Sequence, residues 1–135
     1  MKNNDGMTLV EVIVSVMIVF IFFMGTTAGG LIVLDQNTRN DQRDEAIHIA
    51  EEVMAGMRNT PYVDIMLLNN VGDNVVRYVR GKEMRYNFNQ TVKFLDPGAE
   101  LAELGVAVNW TRMERGVGGV QPKVYTHTLN TIVRR

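Results

Sequence analysis

The sequence predicts an α+β fold in which a long N-terminal spine helix packs on a small antiparallel β-sheet head. Two observations predict the helix: residues 7–34 carry a single charge, that of Glu11, and residues 35–60 repeat apolar side chains at helical spacing. A third observation predicts the sheet, because residues 75–133 contain stretches in which apolar and polar side chains alternate. The 135 residues leave room for one small head beside so long a helix.

The apolar segment, residues 7–34, has the length of a membrane span. Residues 12–34 are uncharged and would form a helix about 35 Å long, enough to cross a hydrocarbon core of about 30 Å. Inside a bilayer a carboxylate such as that of Glu11 is costly and commonly has a partner. A secretory signal peptide does not fit, because its apolar region is only about 7–15 residues long. A plain membrane anchor fits the length but leaves Glu11 unexplained.

The stretch Gly-Met-Thr-Leu-Val-Glu-Val at residues 6–12, followed by the rest of the apolar segment, resembles the class III signal of type IV pilins and type II secretion pseudopilins. The resemblance implies a pilin-like fold and a leader, residues 1–6, that a prepilin peptidase removes by cutting between Gly6 and Met7. It also implies N-methylation of Met7 and a role for Glu11 in assembly between subunits. The implied partners are other pilin or pseudopilin subunits, the peptidase, the inner-membrane assembly platform and the membrane itself.

Chemistry permits two roles for Glu11. After cleavage, the free amine of Met7 on a neighbouring subunit would pair with this carboxylate in an apolar environment. Thr8 and Glu11 also have the spacing of a capping box, in which the two side chains satisfy backbone N–H groups at the start of a helix. The two roles do not exclude each other.

Small residues are concentrated near the far end of the apolar segment, where Gly25, Gly29 and Gly30 lie. Glycines four residues apart let a second helix approach closely. Each glycine also lowers helix propensity by about 1 kcal/mol relative to alanine. We therefore predict a role for these glycines in helix packing or local flexibility; the alternative is that they simply fill the span.

Residues 35–60 predict the amphipathic half of the helix, which should end at Thr60 because the residue before a proline avoids helical angles. Its predicted apolar stripe consists of Ala46, Ile47, Ala50, Val53, Met54 and Met57. This half carries six acids and three arginines, net −3, whereas residues 61–135 carry seven acids and ten bases, net +3. The opposite charges either attract each other between neighbouring subunits or remain solvated. In the second case, Asp41 and Glu45 would belong to a solvated face of the helix.

The sequence of the head, residues 61–135, predicts about four antiparallel strands. They follow a loop that contains a candidate short helix at residues 63–68. The strands are expected at residues 75–80, 84–94, 104–111 and 123–133. Turns are expected at residues 81–83 and 96–98, with a flexible glycine connection at residues 116–119. Residues 46–58 and the Val-x-Val-x-Trp strand at residues 106–110 resemble the PilV-type minor pilins and the I-type minor pseudopilins.

No combination of residues in the sequence indicates catalysis or a metal centre. His48 and His127 have no neighbours at metal-ligand spacing, and the acidic residues of the helix lack the pattern of a calcium loop. The glycines at residues 116–119 are not followed by the Lys-Ser or Lys-Thr of a phosphate loop. We therefore expect no enzymatic activity, no catalytic residue, no cofactor and no metal. With no cysteine, the head has no disulfide to stabilise it.

These features favour a minor pilin-like subunit of a type IV pilus that acts in assembly initiation or at the tip. The alternative is a minor pseudopilin of a type II secretion system, for which most of the sequence serves equally well. A DNA-uptake pilin is less favoured, and nucleic acid is not an expected partner, because the head's basic residues Arg77, Arg80, Lys82 and Arg85 also fit a solvated sheet edge. A further alternative is an unrelated membrane-anchored sensor or chaperone. Such a protein would not need Gly6 for processing, whereas a pilin-like protein that lacks Gly6 would not be cleaved.

The same reading predicts where the protein is located. The chain is expected to cross the bacterial inner membrane once, because its short leader carries Lys2 on the cytoplasmic side of the apolar segment. The head would then be periplasmic before the subunit enters a pilus or pseudopilus.

Overall fold

The computed structural model describes residues 8–95, 101–116 and 118–134. One helix, α1 (Leu9–Asn59), is followed by a short 3₁₀ helix (Ile65–Leu68) and by a β-sheet. The four strands are β1 (Gly72–Val79), β2 (Lys82–Phe94), β3 (Leu101–Gly116) and β4 (Gly119–Arg134). The predicted α+β architecture, a long apolar N-terminal helix packed on a four-stranded antiparallel sheet, is confirmed.

The chain divides into two units between Thr38 and Arg39. We call the described residues 8–38 the N-terminal unit and Arg39–Arg135 the head unit. Helix α1 ends at Asn59, two residues before Pro61, as the angular preference of the pre-proline residue predicts. Arg58 lies in its last turn, where a positive charge interacts favourably with the negative end of the helix dipole.

The sheet is a meander of order β1-β2-β3-β4 in which all neighbours are antiparallel. Arg80 and Gly81 alone connect β1 to β2, and both have positive φ, 51° and 76°. A two-residue turn of this kind matches the twist of the flanking strands. The turn predicted at residues 81–83 was therefore wrong in position, because Lys82 already pairs with Val79.

Strands β3 and β4 have 16 residues each and are longer than predicted. Gly116 and Gly119, which were predicted to belong to a flexible connection, instead pair directly with each other at the end of the β3–β4 hairpin. The added residue pairs are largely charged or exposed, so no apolar alternation marks them in the sequence. The turn predicted at residues 96–98 lies outside the described residues.

The core of the head unit lies between one face of the sheet and the second half of α1. The helix buries Gln42, Ala46, Ile49, Ala50, Met54 and Met57. The sheet contributes Val79, Met84, Tyr86, Val92, Ala102, Leu104, Val106, Val108 and Trp110. Most of the predicted helical stripe is buried, but Ile49 takes the place predicted for Ile47, which is only half-buried. The 3.6-residue helical period explains the difference, because Ile49 lies beside Ala46 and Ala50 on the inner face.

Candidate assembly interface

The N-terminal unit exposes its apolar surface throughout. Every described residue from 8 to 37 is exposed, including Phe20, Phe22 and Phe23. An 18-residue window of α1 near the N-terminus has a mean hydropathy of 2.5, and none of it is buried. By length and composition, this helix is able to cross a membrane. An apolar surface of this extent requires lipid or other helices to cover it.

The hydroxyl groups of the apolar segment bond to the helix's own backbone. Ser15 Oγ donates to the Glu11 carbonyl at 2.7 Å, Thr26 Oγ1 to the Phe22 carbonyl at 3.1 Å, and Thr27 Oγ1 to the Phe23 carbonyl at 2.8 Å. An unpaired hydroxyl in an apolar medium costs free energy, and this back-bonding removes that cost. The three hydroxyls are thus compatible with a lipid environment.

A capping box joins Thr8 and Glu11 at the start of α1. The Thr8 backbone N donates to Glu11 Oε2 at 3.4 Å, and the Glu11 backbone N donates to Thr8 Oγ1 at 3.3 Å. The structure therefore shows the capping geometry that the sequence permits. Both bonds are long, and Glu11 Oε1 accepts no hydrogen bond from the part of the chain that the structure describes. Its carboxylate remains exposed, so a second role in assembly stays a prediction.

The predicted cleavage and methylation site, Gly6 and Met7, lies outside the described residues. The predicted packing glycines lie within α1. A Cβ placed on Gly25, Gly29 or Gly30 would meet no neighbouring atom within 4 Å. The packing of this chain therefore does not require glycine there, and a role towards a neighbouring helix remains a prediction.

Opposite charges of the helix and the head meet within one chain. Arg77 of β1 contacts Glu52 (Nη2 to Oε2, 2.8 Å) and Glu45 (Nε to Oε1, 3.2 Å), while Arg80 forms an ion pair with Asp41. Asp41 and Glu45, expected on a solvated helix face, are partly exposed and form ion pairs with the head of the same chain. These contacts also engage two of the four basic residues that had been considered for nucleic acid.

Tyr86 and Trp110 form an aromatic cluster that the sequence did not single out as a unit. Tyr86 is fully buried, and its hydroxyl donates to the Gln42 carbonyl at 3.2 Å. Burial, and to a smaller extent the charge of Glu45, raises the pKa of Tyr86 to about 12. Trp110 stacks on Tyr125 with ring centroids 5.7 Å apart. This cluster fixes the helix against the middle of the sheet.

Glu114 of β3 is a second feature that sequence reasoning missed. It accepts a hydrogen bond from the Tyr125 hydroxyl, and its oxygens lie 3.5 Å from Arg39 Nη2 and 3.6 Å from Lys123 Nζ. The hydrogen bond from Tyr125, supported by the charges of Arg39 and Lys123, lowers the pKa of Glu114 against an opposing effect of desolvation. No local sequence pattern predicts the contact between Arg39 and Glu114, because this contact depends on how β3 lies along α1.

A cleft of about 330 Å³ lies in the same part of the head unit, lined by Arg39, Asn40, Gln42, Arg43, Trp110, Arg112, Tyr125, Thr126 and His127. Within residues 8–95, 101–116 and 118–134, no three histidine, aspartate or glutamate side chains come together as metal ligands. His48 is exposed on α1, whereas His127 is half-buried on β4.

Residues 1–27 match the family model of the prokaryotic N-terminal methylation motif. This motif indicates a type IV pilin-like or pseudopilin substrate of prepilin peptidase that assembles with other pilin subunits, and the proteins that carry it are structural rather than enzymatic. Together with the exposed apolar helix, it fits a protein anchored in the inner membrane. The match ends within the apolar segment and includes none of the head. No curated protein and no solved structure matches the chain.

Proposed function

We propose that this chain is a minor pilin-like subunit of a type IV pilus, where it helps to initiate assembly or lies at the tip. One observation carries the proposal: the methylation motif, residues 1–27, includes the start of a helix whose first half is exposed and whose second half packs on the sheet of the same chain. Lipid would cover the first half before assembly, and the helices of other subunits would cover it afterwards. The resemblance of residues 46–58 and 106–110 to PilV-type minor pilins supports a minor role.

The proposed pathway follows the chain from its leader. Prepilin peptidase removes residues 1–6 by cutting between Gly6 and Met7 and then methylates the new amine of Met7. Residues 7–34 hold the chain in the inner membrane, with the N-terminus cytoplasmic, while residues 35–60 and the head, residues 61–135, lie in the periplasm. The assembly platform then moves the subunit into the filament.

Glu11 is the proposed assembly residue, and the amine of Met7 on a neighbouring subunit is its proposed partner. An ionised carboxylate in hydrocarbon is stabilised by an opposite charge, and one such pair per subunit would set the axial register of packed helices. The capping box supports this role, because it holds the carboxylate at the start of the helix, where it remains exposed. Gly25 and Gly29 would allow a neighbouring helix to approach at the other end of the segment.

The intact mass of the protein from membranes that contain an active prepilin peptidase tests this pathway. We expect the loss of residues 1–6 and the gain of about 14 Da for one methyl group on Met7. Gly6→Val should leave the leader attached and serves as the unprocessed reference. A wild-type chain of full length without the methyl group would refute the proposal and leave an ordinary membrane anchor.

Three variants separate the capping role of Glu11 from its assembly role. Glu11→Gln keeps a side chain that can form a capping box but removes the charge, Thr8→Ala removes the cap but keeps the charge, and Glu11→Ala removes both. We expect all three to be cleaved, and only Thr8→Ala to assemble with other subunits at the wild-type level. Normal assembly of Glu11→Gln together with failure of Thr8→Ala would show that capping is the role that matters.

A minor pseudopilin of a type II secretion system is the second candidate, supported by the resemblance of the same segments to the I-type branch. Deletion of the gene distinguishes the two filaments. Loss of surface pili with normal secretion would support the pilus, whereas secreted proteins retained in the periplasm of piliated cells would support the pseudopilus. The DNA-uptake reading loses support from the structure, because Glu45, Glu52 and Asp41 already engage Arg77 and Arg80.

A further inference from the structure

The hairpin of β3 and β4 extends beyond the rest of the sheet. Strand β2 pairs with β3 from Phe94–Ala102 to Tyr86–Trp110, and among the described residues the remainder of β3 pairs only with β4. We call this extension, residues 111–116 and 119–124, the ribbon. A two-stranded ribbon is marginally stable in water by itself, so a surface that covers it would stabilise it.

The two faces of the ribbon differ in chemistry. One face carries Glu114, which contacts Arg39 of α1 and Lys123 of β4. The opposite face carries Met113, Val120 and Val124, whose side chains are 65%, 63% and 64% exposed. These three share a face because side chains alternate along each strand, and because Met113 pairs with Pro122, two residues from both Val120 and Val124.

The ribbon is also basic. Residues 111–124 contain three cations, Arg112, Arg115 and Lys123, against one acid, Glu114. Of these, Arg115 lies on the same face as Met113, whereas Arg112 and Lys123 lie on the face of Glu114. Exposed apolar side chains beside a basic residue are typical of segments that bind the headgroup region of an anionic bilayer. The aliphatic stem of Arg115 would lie along the apolar layer while its charge reaches phosphate groups.

Chain length places the ribbon near a membrane. Glu114 contacts Arg39, which follows Leu34, the last residue of the apolar segment, by five positions. Five residues span at most about 18 Å, even when they are fully extended. If residues 7–34 cross the bilayer, Glu114 therefore lies within a short distance of its surface.

We propose that the apolar face of the ribbon docks on the anionic headgroup region of the bilayer that holds the chain. This inference rests on the proposed membrane anchoring of residues 7–34. Docking would keep the head at the membrane surface until the subunit is extracted into a filament. The ribbon would then leave the lipid at the same step as the apolar segment.

Single-cysteine variants of the mature full-length chain test the docking, because the protein has no cysteine of its own. Met113→Cys places a fluorescent label on the ribbon, and Phe20→Cys places one in the apolar segment. Ile132→Cys is the matched control: Ile132 is 63% exposed and lies on the same outer face as Val124, near the opposite end of β4. Each labelled chain is reconstituted into vesicles of phosphatidylglycerol and phosphatidylcholine, and quenching by a lipid-attached quencher is measured.

We expect quenching at positions 20 and 113 and none at position 132. Quenching at position 113 should be lost in vesicles of phosphatidylcholine alone and weakened by Arg115→Gln, since both changes remove an electrostatic attraction. If the label at position 20 is quenched but the labels at positions 113 and 132 are not, the docking is refuted and the membrane anchoring of residues 7–34 is supported. If position 20 also escapes quenching, both fail. Shielding of position 113 that requires added pilin subunits would assign the face to a protein partner and refute lipid docking.

Discussion

The two halves of α1 have the same secondary structure and opposite relations to the rest of the chain. Residues 9–37 are the more apolar half, yet all of them are exposed. The more polar second half buries six residues against the sheet. Apolar content alone therefore does not predict burial within a chain. The amphipathic half builds the core because its apolar side chains are confined to one face, whereas the uniformly apolar half needs lipid or neighbouring helices all round.

Three isoleucines make this comparison experimentally accessible. Ile18 in the N-terminal unit and Ile132 on the outer face of the sheet are both 63% exposed, whereas Ile49 in the second half of α1 is 1% exposed. Equal exposure in the first two cases has different meanings, because Ile18 belongs to an apolar segment of membrane-spanning length and Ile132 to a strand with polar neighbours.

The largest expected effect is on folding of the head. Ile49→Ala should lower the free energy of unfolding by about 2–5 kcal/mol, because it leaves a cavity between helix and sheet. Ile18→Ala should leave unfolding of the head unchanged. Both are measured by denaturant titration of the full chain in detergent, with fluorescence of Trp110, the only tryptophan, as the signal. Equal destabilisation by the two variants would contradict the division of roles between the halves.

The next effect concerns membrane insertion. Ile18→Arg places a charge in the apolar segment and should cost about 2.5–3.5 kcal/mol of insertion free energy. Ile132→Arg, at a site of equal exposure, should insert as the wild type does. The fraction of each variant that remains with membranes after alkaline extraction is the measurement. Full retention of Ile18→Arg would mean that residues 7–34 are not the membrane span.

Features with a local cause were predictable from the sequence. The helix was expected over residues 7–60 and is found at Leu9–Asn59, because the capping pair and Pro61 mark its two ends within a few residues. The alternation of Tyr86 and Val92 on the inner face of β2 follows from the two-residue period of a strand. The assignment of the cleavage site between Gly6 and Met7 depends instead on the resemblance to a known signal, since no physical rule identifies a peptidase site.

Features that depend on contacts between distant residues were not predictable. Two such features are the hydrogen bond from Tyr86 to Gln42 and the ion pair of Arg80 with Asp41. Predicting either one requires knowledge of where the helix lies across the sheet. Prediction of the ribbon would have required the register of β3 and β4, which the charged stretch at residues 112–115 does not reveal. Charge totals suggested attraction between helix and head, but only the structure shows that it occurs within one chain.

A smaller effect concerns the buried hydroxyl that joins the helix to the sheet. Tyr86→Phe should cost about 1–2 kcal/mol, because the buried hydrogen bond from the Tyr86 hydroxyl to the Gln42 carbonyl is lost. The folded-state pKa of Tyr86, about 12, lies above the ordinary value of 10.0. Stability from neutral Tyr86 is therefore fully present below pH 10 and is lost as pH rises through the interval to about pH 12. Denaturant titrations across this interval should show a weaker decline for Tyr86→Phe.

The control for this measurement is Tyr78→Phe. Tyr78 is 72% exposed on β1, and its replacement should change neither the stability nor its decline in alkaline solution. An equal decline in wild type and Tyr86→Phe would show that another group causes it.

The smallest expected effect concerns the ion pairs that join the second half of α1 to the sheet. Arg77→Gln should cost less than about 1 kcal/mol, because Arg77 and its partners Glu45 and Glu52 are partly exposed and are screened by salt. A double-mutant cycle with Glu45→Gln, at low and high salt, measures the coupling. Arg85→Gln, at an exposed position of the neighbouring strand, is the control. If the coupling is zero at low salt, the apolar core alone holds this half of the helix, and its acidic face is available to the basic head of a neighbouring subunit.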